Sequence, residues 1–333
     1  MNTTRGWIEG SIMARRGVAG GKAGARHSLT EEAQGKFKYV YGPYDEPVLR
    51  IKPGDIVDVE TRDAYDGRIK TEADLPSKVL VRPYSNPQNG PIHVEGALKG
   101  DVVAVYIHKI SPRGPQPRGT TTVSSSFGGL NGTNATPMLN KPLDEVVRKV
   151  VVTEDGIQFS DRIRLPYEPF LGTLGVSPQI EAVSTLQPDY WGGNMDVPDV
   201  APNSIAYFPV HCEGAYVFLG DCHAVQGDGE LAGSAIEIAA LVTIQIDLIK
   251  SWQIGWPRIE TSEFIMAIGS ARPMEDAARI AYRELIRWLV ADYGFEEIEA
   301  YQFLTQAGKM RVGNMVDPKY SLGASVAKKY LGR

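Results

Sequence analysis

The sequence predicts a mainly β protein, a β-sandwich or barrel of short strands with C-terminal α-helices packed outside. Three observations carry this. Short β-branched runs recur from Tyr39 to Lys250, many with apolar residues on alternate positions. Glycine (35) and proline (22) are abundant enough to supply many turns. The clearest helical stripe stands near the C-terminus, over 273–293.

Taken in order, residues 1–35 are rich in Gly, Ala and Arg without a period. They read as an N-terminal arm, laid over a neighbouring subunit or disordered. The main domain is expected over 36–333, with a β-rich body at 36–270 and a helical part at 271–333. Strands are expected at 48–51, 56–60, 79–81 and 102–110. Pro53-Gly54-Asp55 and Lys99-Gly100-Asp101 serve as turns before two of them. His108 reads as a structural histidine within its strand. Residues 111–137 combine Pro112, Pro115, Pro117, Ser124–Ser126 and Gly128-Gly129, and read as a long irregular loop, a candidate lid with Phe127 and Leu130 as an apolar wall. From Ser234 onward, Ile236, Ile238, Val242, Ile244, Ile246 and Leu248 fall on alternate positions, with Glu237, Thr243, Gln245 and Asp247 between them. That is one long strand with one buried face. Ala277, Ala278, Ala281, Leu285, Trp288 and Leu289 make the stripe of the first helix, which Gly294 ends. A second helix is expected at 296–307.

Composition narrows the function classes. A net charge of −5 gives no electrostatic reason to expect nucleic acid. No apolar run approaches the roughly 20 residues that span a bilayer. Two cysteines, Cys212 and Cys222, make no disulfide framework and no Cys-x-x-Cys. The N-terminus lacks the apolar core of a secretory signal. A reducing, cytoplasmic setting follows as the expectation, so the Asn-x-Thr matches at Asn131 and Asn134 are read as chance. Neither a Gly-x-x-x-x-Gly-Lys loop nor a Gly-x-Ser-x-Gly elbow is present.

The chemistry concentrates at 220–230. In an extended chain Asp221 and His223 share a face, and so do Asp228 and Glu230. Gly227 and Gly229 allow a sharp turn between the two pairs. The product is a loop of converging imidazole and carboxylates, as a divalent metal site or an acid–base site requires; an ordinary polar turn has the same residue types. Elsewhere, Glu95 stands in an apolar stretch where a carboxylate needs a partner, and His93 shares its face. Asn194 and Asp196, after a double glycine, can aim an amide and a carboxylate at one point. The backbone amides of Gly172-Thr173-Leu174-Gly175 are candidate oxyanion donors. Arg258 is expected to pair with a carboxylate, and His211 ranks below His223. No carboxylate follows Asp317, and the tail reads as structural.

The stretch Gly-Asp-x-His-Ala-x-Gln-Gly-Asp-Gly-Glu at 220–230, followed by Ala-Ile-Glu at 235–237, resembles the signature of the acetamidase/formamidase family. The segments at 48–55, 89–97, 169–178 and 192–196 resemble further motifs of that family in the same order, so the likeness covers about 37–270. His93 and the Ser/Thr/Gly/Pro-rich segment 111–137 depart from the family pattern. The resemblance implies a catalytic domain over 36–333 that hydrolyses a small aliphatic amide of the formamide or acetamide type. It also marks Asp63, before Gly67, as a site candidate.

On this reading Asp63, Asp221 and His223 are the metal candidates. Glu95, His223, Asp228 and Glu230 are the catalytic ones, and Asn194, Asp196 and His93 would line the substrate. The imidazole favours zinc, with calcium or manganese compatible with the carboxylates. A homo-oligomer without nucleic-acid or membrane partners is expected. Two alternatives stand beside it: a cysteine amidase using Cys222, and a non-enzymatic, calcium-stabilised β-sandwich binding protein. Sequence neighbours in a strand face opposite ways, which turns Cys222 away from Asp221 and His223.

Overall fold

In a computed structural model that describes residues 11–16, 24–131, 139 and 141–332, the strands form two large open sheets stacked as a sandwich. The nine-stranded sheet runs β1 (Arg26–Leu29), β4 (Asp55–Glu60), β17 (Ala240–Ile249), β6 (Val102–Pro112), β14 (Ile205–Pro209), β18 (Arg258–Glu260), β19 (Phe264–Ala271), β21 (Tyr320–Ala327), β20 (Lys309–Asn314). The ten-stranded sheet runs β10 (Ile163–Leu165), β9 (Gly156–Ser160), β8 (Val146–Thr153), β7 (Gly119–Val123), β16 (Glu237–Ile238), β15 (Val217–His223), β11 (Phe170–Val176), β13 (Gly192–Asn194). Two further strands, β5 (Gln88–Val94) and β3 (Leu49–Ile51), are attached beside β15. A small ribbon joins β2 (Val40–Tyr41) to β12 (Val183–Ser184).

The nine-stranded sheet is covered on both faces, and its sequence shows why. Along β6, Val103, Val105 and Ile107 point into the core between the sheets, with Ile244 and Ile246 of β17 and Leu171, Leu174 and Phe218 opposite. Val102, Ala104 and Tyr106 point the other way, towards the helices. A strand buried on both sides reads as a continuous apolar run, as β6 does at its start. The helices α1 (Met274–Tyr293) and α2 (Glu297–Ala307) close the outer face. Ala281, Leu285, Trp288 and Leu289 of α1 pack on Tyr207, Ile265, Ala267 and Val326. Gly294 ends α1 in the left-handed region (φ 76°).

Four expectations need correction. Residues 79–81 form no strand: Pro76–Val79 is a helical turn, and Val81 makes only an isolated bridge to Tyr84. The run from Ser234 is not one strand. It divides at Ala239, giving β16 to the ten-stranded sheet and β17 to the nine-stranded one. Alternation continues on both sides of the break, so the pattern hides the change of sheet. Residues 26–29 are no arm: they form β1 parallel to β4, and Arg26 pairs with Asp58 at 2.6 Å. The part after 271 is helical but also supplies β20 and β21. The first ten residues, and Asn134 with the tip of the 111–137 loop, lie outside the described residues. No helix among the described residues is long and apolar enough to cross a membrane.

Candidate active site

β15 carries Asp221 and His223 into the second sheet, paired with β11 on one side and with β16 and β5 on the other. The register places His223 opposite both Phe170 and Glu237. Next to β11, β13 delivers Asn194, and the chain then turns with Asp196 at φ 50°. Glu230 follows the Gly-rich turn at φ 49°, and Asp317 comes from the loop between β20 and β21. Five carboxylates (Asp196, Asp221, Glu230, Glu237, Asp317) thus surround one imidazole, and all six residues are buried.

The distances are short. His223 Nε2 lies 3.2 Å from Glu237 Oε2, 3.4 Å from Asp221 Oδ1 and 4.0 Å from Asp196 Oδ1. Yet Nε2, Asp196 Oδ1 and Glu237 Oε2 are all buried without a hydrogen-bond partner. One oxygen each of Asp196, Asp221 and Asp317 accepts from uncharged donors. Asn194 Nδ2 donates to Asp317 Oδ2 at 2.7 Å and Asp196 Oδ2 at 3.2 Å. Asn314 Nδ2 donates to Asp196 Oδ2 at 3.2 Å. Thr173 Oγ1 donates to Asp221 Oδ2 at 3.2 Å, and Asn86 Nδ2 reaches the same oxygen at 3.3 Å. Gly172 leaves the room: a Cβ there would stand 2.8 Å from His223 Nε2 and from Asp196 Oδ1.

Electrostatics follow from that crowding. Burial, then the charges of Glu230 and Asp317, hold Asp196 well above the usual carboxylate range. Burial, with Asp317 and Glu237 adding to it against His223, does the same to Glu230. Burial pushes Glu237 and Asp317 each up to about 7. For Asp221 burial is outweighed by His223, which keeps it low. For His223 burial is outweighed by Glu237 and Asp221, which raise it. Among the described residues, the ion pairs of these carboxylates are with His223 alone. Such a group needs protons or a cation.

The donor set fits a divalent cation. Three combinations bring ligand atoms within 4.8 Å of one another: Asp196, Asp221 and His223; His223, Glu230 and Glu237; and Asp196, Glu230 and Asp317. Adjacent ligands of a tetrahedral ion with bonds of ~2.0–2.2 Å stand roughly 3.4 Å apart, close to the spacings around His223 Nε2.

A cavity of about 120 Å³ opens onto the cluster, lined by Asp221, Glu230, Glu237, Asp317, Asn86 and Asn194. It is well below the ~300–1,000 Å³ usual for drug-sized ligands. Leu80, Leu186 and Phe127 give it an apolar side. Thr122, Ser124 and Phe127 come from the segment 111–137, of which 111–112 end β6 and 119–123 form β7 rather than loop.

Of the residues singled out from sequence, Asp196, Asp221, His223, Glu230 and Asn194 are brought together here. Others are not. Glu95 is exposed, so no burial demands a partner for it. Asp228 is also exposed, paired with Arg311 at 2.6 Å; the turn splits it from Glu230 instead of giving them one face. Asp63 is buried, but its Oδ1 accepts from the amides of Tyr65 (3.1 Å) and Gly67 (2.8 Å), the geometry of a turn cap. His93 packs edge-on to Tyr216 and lies outside the cavity lining. Thr173, Leu174 and Gly175 sit in a strand paired with β13 and β15, where the ladders take up backbone amides. Cys222 faces the other way, with Sγ 3.4 Å from Thr61 Oγ1. Arg258 pairs with Glu284 as expected, Nη2 to Oε1 at 2.7 Å.

Sequence reading missed Glu237, Asp317, Asn86 and Asn314. Glu237 stood in the Ala-Ile-Glu segment but read as the polar side of a strand. Asp317 shows only as an acidic residue before Pro318, in a tail that reads as structural.

The chain matches the sequence model of the acetamidase/formamidase family over residues 27–185 and 179–324. It belongs to that family. A crystal structure of an acetamidase from Yersinia enterocolitica is 55% identical, with a TM-score of 0.96 over 98% of this chain and 99% of that one. An acetamidase of Mycolicibacterium smegmatis is 28% identical over 256 residues, 60% of this chain and 63% of the relative. A putative formamidase of Schizosaccharomyces pombe is 26% identical over 263 residues, 60% of this chain and 61% of the relative. The matches therefore span about three fifths of the length of these two curated relatives.

Proposed function

We propose that the protein hydrolyses a small aliphatic amide, of the formamide or acetamide kind, to a carboxylate and ammonia with the help of a divalent cation. One observation carries the reading: an imidazole nitrogen and carboxylate oxygens buried without partners at ligand spacing, beneath a cavity with room for a small molecule. His223, Asp221 and Asp196, with Glu237 beside them, would hold the cation. The mixed nitrogen and oxygen set favours zinc, with manganese next. When bound, a dication lowers the pKa of water and draws charge from an amide carbonyl.

The chain's own groups supply the rest. Leu80, Leu186 and Phe127 offer an apolar wall to the alkyl end of the amide. Glu230 faces the cavity, and burial lifts it well above the usual carboxylate range, the direction an acid–base group needs. It accepts the proton of the attacking water and returns it to the departing nitrogen, so that the C–N bond breaks and ammonia leaves. Asn194 and Asn314 hold the neighbouring carboxylates in place and contribute no proton.

The test joins elemental analysis with ammonia release from short amides. In His223→Ala both the ion and turnover should be lost. In Glu230→Gln the ion should stay while turnover falls by roughly 100-fold or more. Loss of the ion in Glu230→Gln makes Glu230 a ligand instead. Normal hydrolysis by both variants sinks the reading.

A cytoplasmic setting fits the two free cysteines. For the homo-oligomer we propose the face built by α1 and α2. Its groove exposes Val290, Ile298 and Tyr301, with Arg279, Arg283 and Arg287 on one bank and Glu297 on the other. A second copy turned about a twofold axis would set arginines against glutamates on both sides. Light scattering should show a dimer that Ile298→Glu dissociates; a monomeric wild type removes the proposal.

A further inference from the structure

Gln226 stands three residues after His223, and its side-chain amide is fully engaged. Nε2 donates to the backbone oxygen of Asp196 at 3.0 Å and to that of Gly313 at 2.9 Å. Oε1 lies 2.9 Å from His223 Nδ1. The orientation of an amide is an inference from its partners, and here the partners decide it. A flipped amide would set its oxygen against two carbonyl oxygens. The oxygen therefore faces the imidazole, and Nδ1 must carry the hydrogen to donate to it.

This leaves Nε2 as the ring nitrogen open to a cation. In a neutral imidazole with the proton on Nδ1, Nε2 is a bare lone pair. It is the atom that lies 3.2 Å from Glu237 Oε2 and 3.4 Å from Asp221 Oδ1, buried without a hydrogen bond. The carboxylate oxygens around Nε2 favour a positive charge there, a second ring proton in the ion-free protein or a cation bound in its place.

We propose that Gln226 is a positioning residue which holds His223 in the tautomer whose Nε2 binds the cation. This rests on the cation reading above. The arrangement also ties three chain segments to one amide: the turn after β15, the bend at Asp196 and the end of β20. A clamp of purely structural purpose would use the two donations to carbonyls. Tautomer control uses the acceptor, Oε1. The two roles are therefore separable by substitution.

Gln226→Leu removes donor and acceptor together. Gln226→Glu keeps an acceptor for Nδ1–H and loses the donations. Binding of Zn²⁺ is measured by competition with a chromogenic chelator, and the Nδ1–H proton by NMR on protein carrying ¹⁵N-histidine, with His223→Ala identifying the signal. Gln226→Leu should weaken Zn²⁺ binding about 10–100-fold, the usual scale for a residue behind a metal ligand, and lose the protected Nδ1–H signal. Gln226→Glu should keep that signal and recover most of the affinity. If Gln226→Glu is as weak as Gln226→Leu, the residue is a structural clamp and the proposal fails. Wild-type affinity in Gln226→Leu also overturns it. A wild type that binds no dication would instead sink the cation reading, and the Nδ1–H signal in the three proteins would still decide whether Gln226 Oε1 holds the hydrogen of His223 on Nδ1.

Discussion

Two of the buried charge groups among the described residues, Arg258 with Glu284 on the helix side and the cluster around His223, are neutralised differently. On the helix side Arg258 Nε and Nη2 donate to Glu284 Oε1 at 3.0 and 2.7 Å, and the guanidinium lies over Trp252 and Trp288. Arg258 Nη1 and Glu284 Oε2 lack hydrogen bonds, but each faces an opposite charge: Asp292 at 4.0 Å and Arg287 at 3.8 Å. In the candidate active site five carboxylates share one imidazole, and the orphaned oxygens of Asp196 and Glu237 have only its Nε2 as an ion-pair partner among the described residues. A structural ion pair is balanced by the chain itself. The cluster around His223 is balanced only by protons or by something that comes from outside.

The contrast has its largest expected effect in the structural pair. Glu284→Gln leaves Arg258 buried without its carboxylate, which costs about 3–5 kcal/mol. Chemical denaturation should show that loss. A cost near zero would mean that Asp292 alone satisfies Arg258, and the two regions would be less different than they look. The next effect is smaller and has its origin outside the chain. Stripping the ion with a chelator should lower stability by about 2.7 kcal/mol when the ion had been present at a hundred times its Kd. Thermal melting before and after chelation measures it, and an unchanged midpoint with a verified ion count would place the ion away from the fold.

How much of this was legible beforehand differs between the two regions. The helix side was readable because its signals are local. Ala277, Ala281, Leu285 and Trp288 repeat at the helical spacing, Gly294 marks the end, and Arg258 was expected to pair. The site was readable where its residues stand close together in sequence: Asp221, His223 and Glu230 lie within ten positions, and Asn194 and Asp196 stand two apart after a double glycine. Glu237 was hidden because alternation is the same whether a strand faces solvent or a cavity. Asp317 joins through β20 and β21, about a hundred residues after Asp221, and nothing local announces that pairing. Asp228 and Glu95 were overrated for the same reason in reverse, since proximity in sequence or an apolar context does not tell whether the backbone turns a carboxylate inward.

A third prediction uses the sign of the electrostatics. Asp317→Asn removes one negative charge from the crowd while leaving an oxygen to accept from Asn194. In the ion-free protein it should raise stability by about 1 kcal/mol, the scale of one pKa unit. Glu284→Gln acts in the opposite direction, so the pair of variants tests the comparison with one instrument. A destabilised Asp317→Asn in the absence of ions would show that these carboxylates are not held together against repulsion.

The smallest effect concerns Cys222, which lies between Asp221 and His223 in sequence and apart from them in space. Its side chain points into the core between the sheets, fully buried, opposite Leu171 and Ile238 across the ladders. Burial pushes its thiol up to about 12, so at neutral pH almost none of it is thiolate, the form a nucleophile requires. Cys222→Ser sets a hydroxyl where Sγ now stands 3.4 Å from Thr61 Oγ1, which can receive its hydrogen bond. The expected cost is about 1 kcal/mol or less, with most of kcat/KM retained in an ammonia-release assay. A folded Cys222→Ser protein without turnover would move the chemistry across the sheet and restore the cysteine-amidase alternative, because no loss of packing at that position explains a silent site on the opposite face.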